Sequence, residues 1–169
     1  MSPDSPNANP LDLAAKKAVL RLCTYGLYVV SCAHEGETNA FTANWLTQVS
    51  FEPPLIALSV ENVSISLGLI ERSGLFTVCP LRDDQRELAG LLGRSKAKAG
   101  DKLAHLPHHT SPRGLPLLDE GALGYVECRV AGKMAAGDST LFVGEVVGAG
   151  LAADGAPLTM GAAGFRHSG

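Results

Sequence analysis

The segment from Asn39 to Pro54, NAFTANWLTQVSFEPP, carries the residues of this chain best suited to chemistry. Thr42, Asn44, Thr47, Gln48 and Ser50 put five hydrogen-bonding side chains into nine residues, with no charge among them. Uncharged donors and acceptors at that density suit a neutral, polar, ring-bearing ligand. Trp45 lies among them, where its ring either stacks on an aromatic ligand or fills the core. Further on, Ser64 or Ser66 opens a helix, and hydroxyls beside free N–H groups at a helix start form a ready anion site; a plain N-cap is the other meaning of a serine there.

Other candidates carry less. Cys23, Cys32, Cys79 and Cys128 show no CxxC spacing and lie in apolar runs, so they read as small buried hydrophobes rather than a redox pair or metal site. For His105, His108 and His109, the nearby Pro107 and Pro112 deny a helical face and no Cys or carboxylate nearby completes a set, so no metal site is expected. His34, beside Glu35, Gly36 and Glu37, reads as a turn residue. The basic run Arg94 to Lys102 reads as a solvated loop, although it could reach a phosphate. Gly148 to Ala153 matches GxGxxA but lacks the helix that should follow.

The elements that must position these residues are mostly strands. Asn9 and Pro10 suggest the start of a short amphipathic helix with Leu11, Ala14, Ala15, Ala18 and Leu22 at helical spacing. LYVVSC then forms a strand, and His34 to Glu37 turns it into a hairpin. Asn39 to Pro54 reads as a strand, a polar loop and a re-entry, with LIALSV as the third strand. A helical turn from Ile65 to Arg72, closed by Gly74, leads to LFTVCPL as a fourth. Asp84 and Glu87 have capping-box spacing before a helix to about Leu92. ALGYVECRV and STLFVGEVVGAG close the chain as a β pair separated by Gly132 to Asp138. Short strands at regular spacing with few helices predict a mainly β, barrel-like fold with short peripheral helices.

Length and charge bound the function. A chain of 169 residues suits one domain, here from residue 10 to 169 behind a flexible tail at 1–9. With a net charge of −3 and scattered Lys and Arg, no basic field favours nucleic acid. No signal segment and no long apolar run are seen, which predicts a cytoplasmic protein away from membranes.

Three segments in register carry a family resemblance. Asn39 to Pro54 follows the pattern xxFTANxxxxVSxxPP, and VENVSISLGLIERSGLFTVCPL (60–81) and GDSTLFVGEVVGAG (137–150) continue it. Together they resemble the flavin reductase-like family of FMN-binding split barrels, over about Arg21 to Arg166. The resemblance implies a split β-barrel homodimer that binds FMN, with FAD possible, and takes hydride from NADH or NADPH. It implies that Thr42, Ala43, Asn44 and Trp45 border the isoalloxazine, with backbone amides there facing the charge that grows at N1 and the C2 carbonyl. Ser59, Val60 and Glu61 would lie on the ring's other side, Ser64, Ile65 and Ser66 would hold the ribityl phosphate, and Ser50 would order the loop. The nicotinamide would stack near Asp138, Ser139 and Phe165. Hydride passes directly between the rings, so no catalytic acid or base is expected. Many relatives read Gly-Asp-His where this chain has Gly137-Asp138-Ser139, and serine neither carries charge nor stacks. The implied function is an NAD(P)H-dependent flavin reductase that supplies reduced flavin, for example to a monooxygenase. The alternative is a flavoredoxin-like FMN electron carrier serving a redox protein partner, with little direct use of nicotinamides.

Overall fold

The structure, a computed structural model, describes residues 10–166. The tail expected at 1–9 and the Asn9 cap lie outside the described residues. Helix α1 (Leu13–Leu20) is capped instead by Asp12, whose Oδ1 accepts from the N–H groups of Ala14 at 2.9 Å and Ala15 at 3.0 Å. None of its residues is buried, and Leu11 and Leu22 of the predicted apolar face are exposed, as are Leu13, Val19 and Leu20.

Strands β1 (Tyr28–His34) and β2 (Glu37–Ala43) form the expected hairpin, with Glu35 and Gly36 both at positive φ in the two-residue turn. β3 (Leu46–Ser50) and β4 (Leu55–Glu61) follow, joined by a turn that holds the double proline. Part of the expected polar loop is therefore strand: Thr47, Gln48 and Ser50 ladder onto β4 along one sheet edge, and only Asn44 and Trp45 separate β2 from β3. LIALSV is consequently the fourth strand rather than the third.

Helix α2 (Ile65–Ser73) runs from the Ser64 cap to Gly74, whose φ of 67° is the left-handed geometry that stops helices. Next come β5 (Leu75–Pro80) and α3 (Arg86–Leu92). The expected capping box is not made, because the Asp84 carboxylate pairs with Arg82 at 2.8 Å and the N-cap is Gln85. A one-turn helix α4 (Lys96–Ala99), β6 (His108–Thr110) and β7 (Pro116–Leu118) precede the long hairpin β8 (Gly124–Ala136) and β9 (Ser139–Leu151). Its strands run 13 residues each, so the turn is only Gly137-Asp138 rather than Gly132 to Asp138. The last element is a short α5 (Met160–Ala163).

Seven strands form one antiparallel sheet in the order β2-β1-β5-β8-β9-β4-β3. Six inter-strand spacings of about 4.8 Å would put β2 and β3 some ~29 Å apart in a flat sheet. Yet Ala43 and Leu46 are only three residues apart, a reach of about 11 Å. The sheet must therefore curl until its edges meet, which gives a mainly β, split-barrel architecture.

Alternation along the strands fills two cores. Val30, Cys32, Phe76, Val78, Leu58 and Phe142 point into the barrel, which α2 plugs with Leu69 and Ile70. Val29, Cys79 and Leu81 point outward to a second cluster with Ala89 and Leu92 of α3, Leu117 of β7 and Met160 of α5. Both faces of β1 and β5 are thus covered, which explains their nearly unbroken apolar runs. Cys32, Cys79 and Cys128 are buried, and burial pushes their thiols up to about 11, 12 and 12. Cys23 departs from expectation: it is exposed, in the segment between α1 and β1.

Candidate functional site

A cavity of about 670 Å³ opens where the β2–β3 turn meets the end of β4, α3 and the C-terminal segment. That volume lies in the range of small-molecule sites, ~300–1,000 Å³. From the β2–β3 turn it is lined by Thr42, Ala43, Asn44 and Trp45, and from β4 by Ser59, Val60 and Glu61. These two stretches are held side by side by the Ser59 N–H, which donates to Trp45 O at 3.0 Å.

Ser64 and Ile65 line the cavity at the start of α2. There the Ser66 N–H goes to Ser64 Oγ at 3.3 Å and the Leu67 N–H to Ser64 O at 3.1 Å. Ser66 itself departs from expectation. Its side chain is fully buried beneath the helix, where Oγ accepts from Asn39 Nδ2 at 2.8 Å, so its hydroxyl does not line the cavity. Thr42 is also committed, since its Oγ1 donates to Ala89 O at 2.7 Å and ties β2 to α3. Trp45 meets Tyr25, whose hydroxyl is raised by burial and by the neighbouring Cys23 thiol despite a hydrogen bond with Trp45.

Phe165 lines the opposite wall, and the Arg86 guanidinium lies 5.5 Å from its ring centroid while Arg86 Nε donates to Ala163 O at 2.7 Å. One arginine therefore fixes both the ring and the turn that carries it. Besides Ser66, three candidates lie off the cavity. Ser50 sits on the β3 edge. Asp138 and Ser139 sit at the β8–β9 turn, where the buried Ser139 donates to Asp138 Oδ1 at 3.1 Å and pairs in register with Glu61.

The basic run set aside as a solvated loop forms a wall of this cavity. Arg94, Lys96 and Lys102 line it together with Arg166, and Glu61 is the one carboxylate among the described lining residues. Lys102 is buried, its Nζ donating to Leu92 O at 2.8 Å and Arg94 O at 2.9 Å, so it caps the carbonyl end of α3. Desolvation lowers its pKa. The signal in the sequence was the cation density just after a helix; what was missing was the fold of α3, which turns that segment toward the barrel.

The lining suits a flat polar ring with an anionic tail: it combines aromatic and apolar walls, an amide and hydroxyls, a helix start and four cationic side chains. Among the described residues no group of three His, Cys, Asp or Glu is placed to hold a metal ion. His109 does have a carboxylate, Asp119, with Nδ1 at 2.6 Å from Oδ1, in the small β6–β7 sheet.

Comparison with known proteins agrees with this donor set. Residues 20–169 match the flavin reductase like domain. Among curated proteins, the chain is 34% identical over 144 residues to an NADH-dependent flavin reductase of a Rhodococcus species, covering 83% of this chain and 77% of that protein. It is 32% identical over 126 residues to the flavin-dependent monooxygenase reductase subunit HsaB of Mycobacterium tuberculosis, covering 75% of this chain and 65% of that subunit. Across such relatives the chain spans from 62% to 82% of their own length. Among solved structures, BorF, the flavin reductase component of a bacterial two-component tryptophan halogenase, superposes with a TM-score of 0.76 at 28% identity, covering 92% of this chain and 97% of that one. By sequence over most of its length and by fold, this chain belongs to the flavin reductase like domain family.

Proposed function

We propose that this chain is an NAD(P)H-dependent flavin reductase that holds FMN, or FAD, in the cavity beside Asn44. The observation that carries the reading is the convergence on one cavity of two of the family segments, through 39–45 and 60–65, with the stretches 89–102 and 160–166 far along the chain, uncharged at the β2–β3 turn and basic at the α3 end. A bound flavin would supply the redox chemistry, as a two-electron acceptor for the nicotinamide's hydride and a donor of electrons to the next acceptor. The protein's share is position and electrostatics.

In this reading Asn44 and the backbone of Thr42 to Trp45 orient the ring. The α2 start with Ser64, Ile65 and the buried Ser66 beneath it, joined by Arg94, Lys96 and Lys102, favours the phosphate. Ser59, Val60 and Glu61 form the side wall. The nicotinamide enters from the Phe165 side, toward the turn with Asp138 and Ser139, while Ser50 steadies the β3 edge.

The domain is proposed to run from 10 to 169 in a cytoplasmic homodimer. Exposed Leu13, Val19 and Leu20 on α1, and exposed Val49 and Phe51 at the end of β3, support a covered face. No helix among the described residues is long and apolar enough to cross a membrane. HsaB and BorF, named as reductase components of a monooxygenase and a halogenase, support a flavin-dependent monooxygenase as the consumer of the reduced flavin.

Ser139 favours one other reading. Its hydroxyl is buried on Asp138 and off the cavity, which suits an FMN electron carrier that exchanges electrons with a protein partner and uses nicotinamides poorly. Anaerobic titration of the FMN-loaded protein with NADH and then NADPH, followed at the visible flavin bands, separates the two. Rapid bleaching is expected; bleaching by dithionite alone would move the assignment to the carrier.

A further inference from the structure

The side chain that grips Asn44 lies in none of the three family segments. Asn44 Nδ2 donates to Met160 Sδ at 3.1 Å, across 116 positions of sequence. A thioether accepts weakly and donates nothing, so it distinguishes the two ends of the carboxamide: Oδ1 in that place would set lone pairs against lone pairs. The sulfur is itself well anchored. Met160 is 8% exposed, and its N–H donates to Tyr25 O at 3.0 Å. The preceding Thr159 bridges to Gly26 and accepts from the Ala162 N–H at 3.1 Å. Leu158, one residue earlier, accepts from the Leu27 N–H at 2.9 Å and donates its own N–H to Leu81 O at 2.8 Å.

We propose that Met160 is a positioning residue for ring recognition: by engaging the amide N–H of Asn44 it leaves Oδ1 as the acceptor offered to the cavity, so the site selects a ring N–H donor at that point. This rests on the flavin reading, and the isoalloxazine carries one such N–H between two carbonyls. Met160 also lines the cavity, so its effect through Asn44 is distinguished from any contact of its own by coupling between the two residues. A methionine that only fills space would instead contribute independently of Asn44.

A double-mutant cycle on FMN binding, read by quenching of flavin fluorescence and accompanied by thermal melts, decides between the two. Loss of one neutral hydrogen bond predicts that Met160→Leu weakens FMN binding on the order of 2- to 10-fold, with little change in melting. Asn44→Ala should weaken it at least as much, and the double variant no further. Met160→Gln, which restores an acceptor at similar reach, should return affinity to within about twofold of wild type. Additive effects, an unchanged Met160→Leu, or failure of Met160→Gln to restore binding would overturn the inference while leaving the flavin reading intact. Should Met160→Leu not fold, the Gln variant alone decides by the same criterion. A wild-type protein that takes up no flavin would overturn the reading of the site itself, and the inference with it.

Discussion

Glu127 sits on β8 with its side chain buried, yet it keeps its charge because three donors converge on it. Ser111 Oγ donates to Oε1 at 2.6 Å, the Arg113 N–H to Oε1 at 3.2 Å, and Arg113 Nη1 to Oε2 at 2.6 Å. Burial alone would raise its pKa, but the Ser111 and Arg113 hydrogen bonds outweigh it and the carboxyl lies below its ordinary value. A group lowered by folding contributes stability above its unfolded value, near pH 4.5, and loses it as pH falls through the folded one. Wild-type stability should therefore hold down to about pH 5 and then drop in acid. Glu127→Gln should start about 2–3 kcal/mol lower at pH 7 and lose less on acidification. Denaturant melts across that range check this, and parallel acid slopes for the two proteins would refute it. Nothing in ECRV marks this glutamate, because its partners lie 14 and 16 residues upstream in a loop whose path only the fold sets. Asn44 was legible for the opposite reason: its setting, FTAN before VS-PP, is local. Ser66 was legible as part of the helix start but not as a buried hydroxyl, since that depends on Asn39 of the neighbouring strand.

Strands were legible in the sequence where both faces are covered or alternate cleanly, as in β1, β4 and β5. β3 was not, because it pairs only with β4 and three of its five residues are exposed, so its polarity resembles a loop. The far half of the β8–β9 hairpin was hidden for a related reason: Gly132 to Ala136 holds one turn-forming glycine and no β-branched or aromatic residue, yet pairs through Ala136 and Ser139. Close packing between strands gives a sharper test than pattern does. A Cβ at Gly144 of β9 would meet Phe76 Cζ at 2.5 Å and Cys128 Cβ at 2.9 Å. Both neighbours are fully buried, so neither has room to yield. Gly144→Ala is expected to cost about 1–3 kcal/mol by overpacking, and Phe76→Leu in that background should recover part of it. Equal midpoints for wild type and Gly144→Ala in urea would show that the barrel interior is looser than these contacts imply.

Over the whole molecule, acidic residues outnumber basic ones, 17 to 14, so the average field repels anions weakly. The cavity runs against that average, with four cationic side chains against Glu61 among its described lining residues. Such concentration cannot be read along the chain, because Arg166 joins Arg94, Lys96 and Lys102 only through the path of the last segment past α3. A local positive field beside a neutral ring site makes a specific demand on ligands that differ only in charge. FMN and riboflavin share the ring and the ribityl chain, and only FMN carries the phosphate. Ions screen exposed charges over about 10 Å at 0.1 M and about 3 Å at 1 M. Raising salt across that interval should weaken FMN binding severalfold while leaving riboflavin nearly unchanged, so the two affinities converge. Replacing Arg94 and Lys96 together by glutamine should bring them closer at low salt and flatten the dependence. If FMN and riboflavin instead bind alike at low salt, the basic wall does not hold the phosphate, and the α2 start alone would have to account for any preference seen at other ionic strengths.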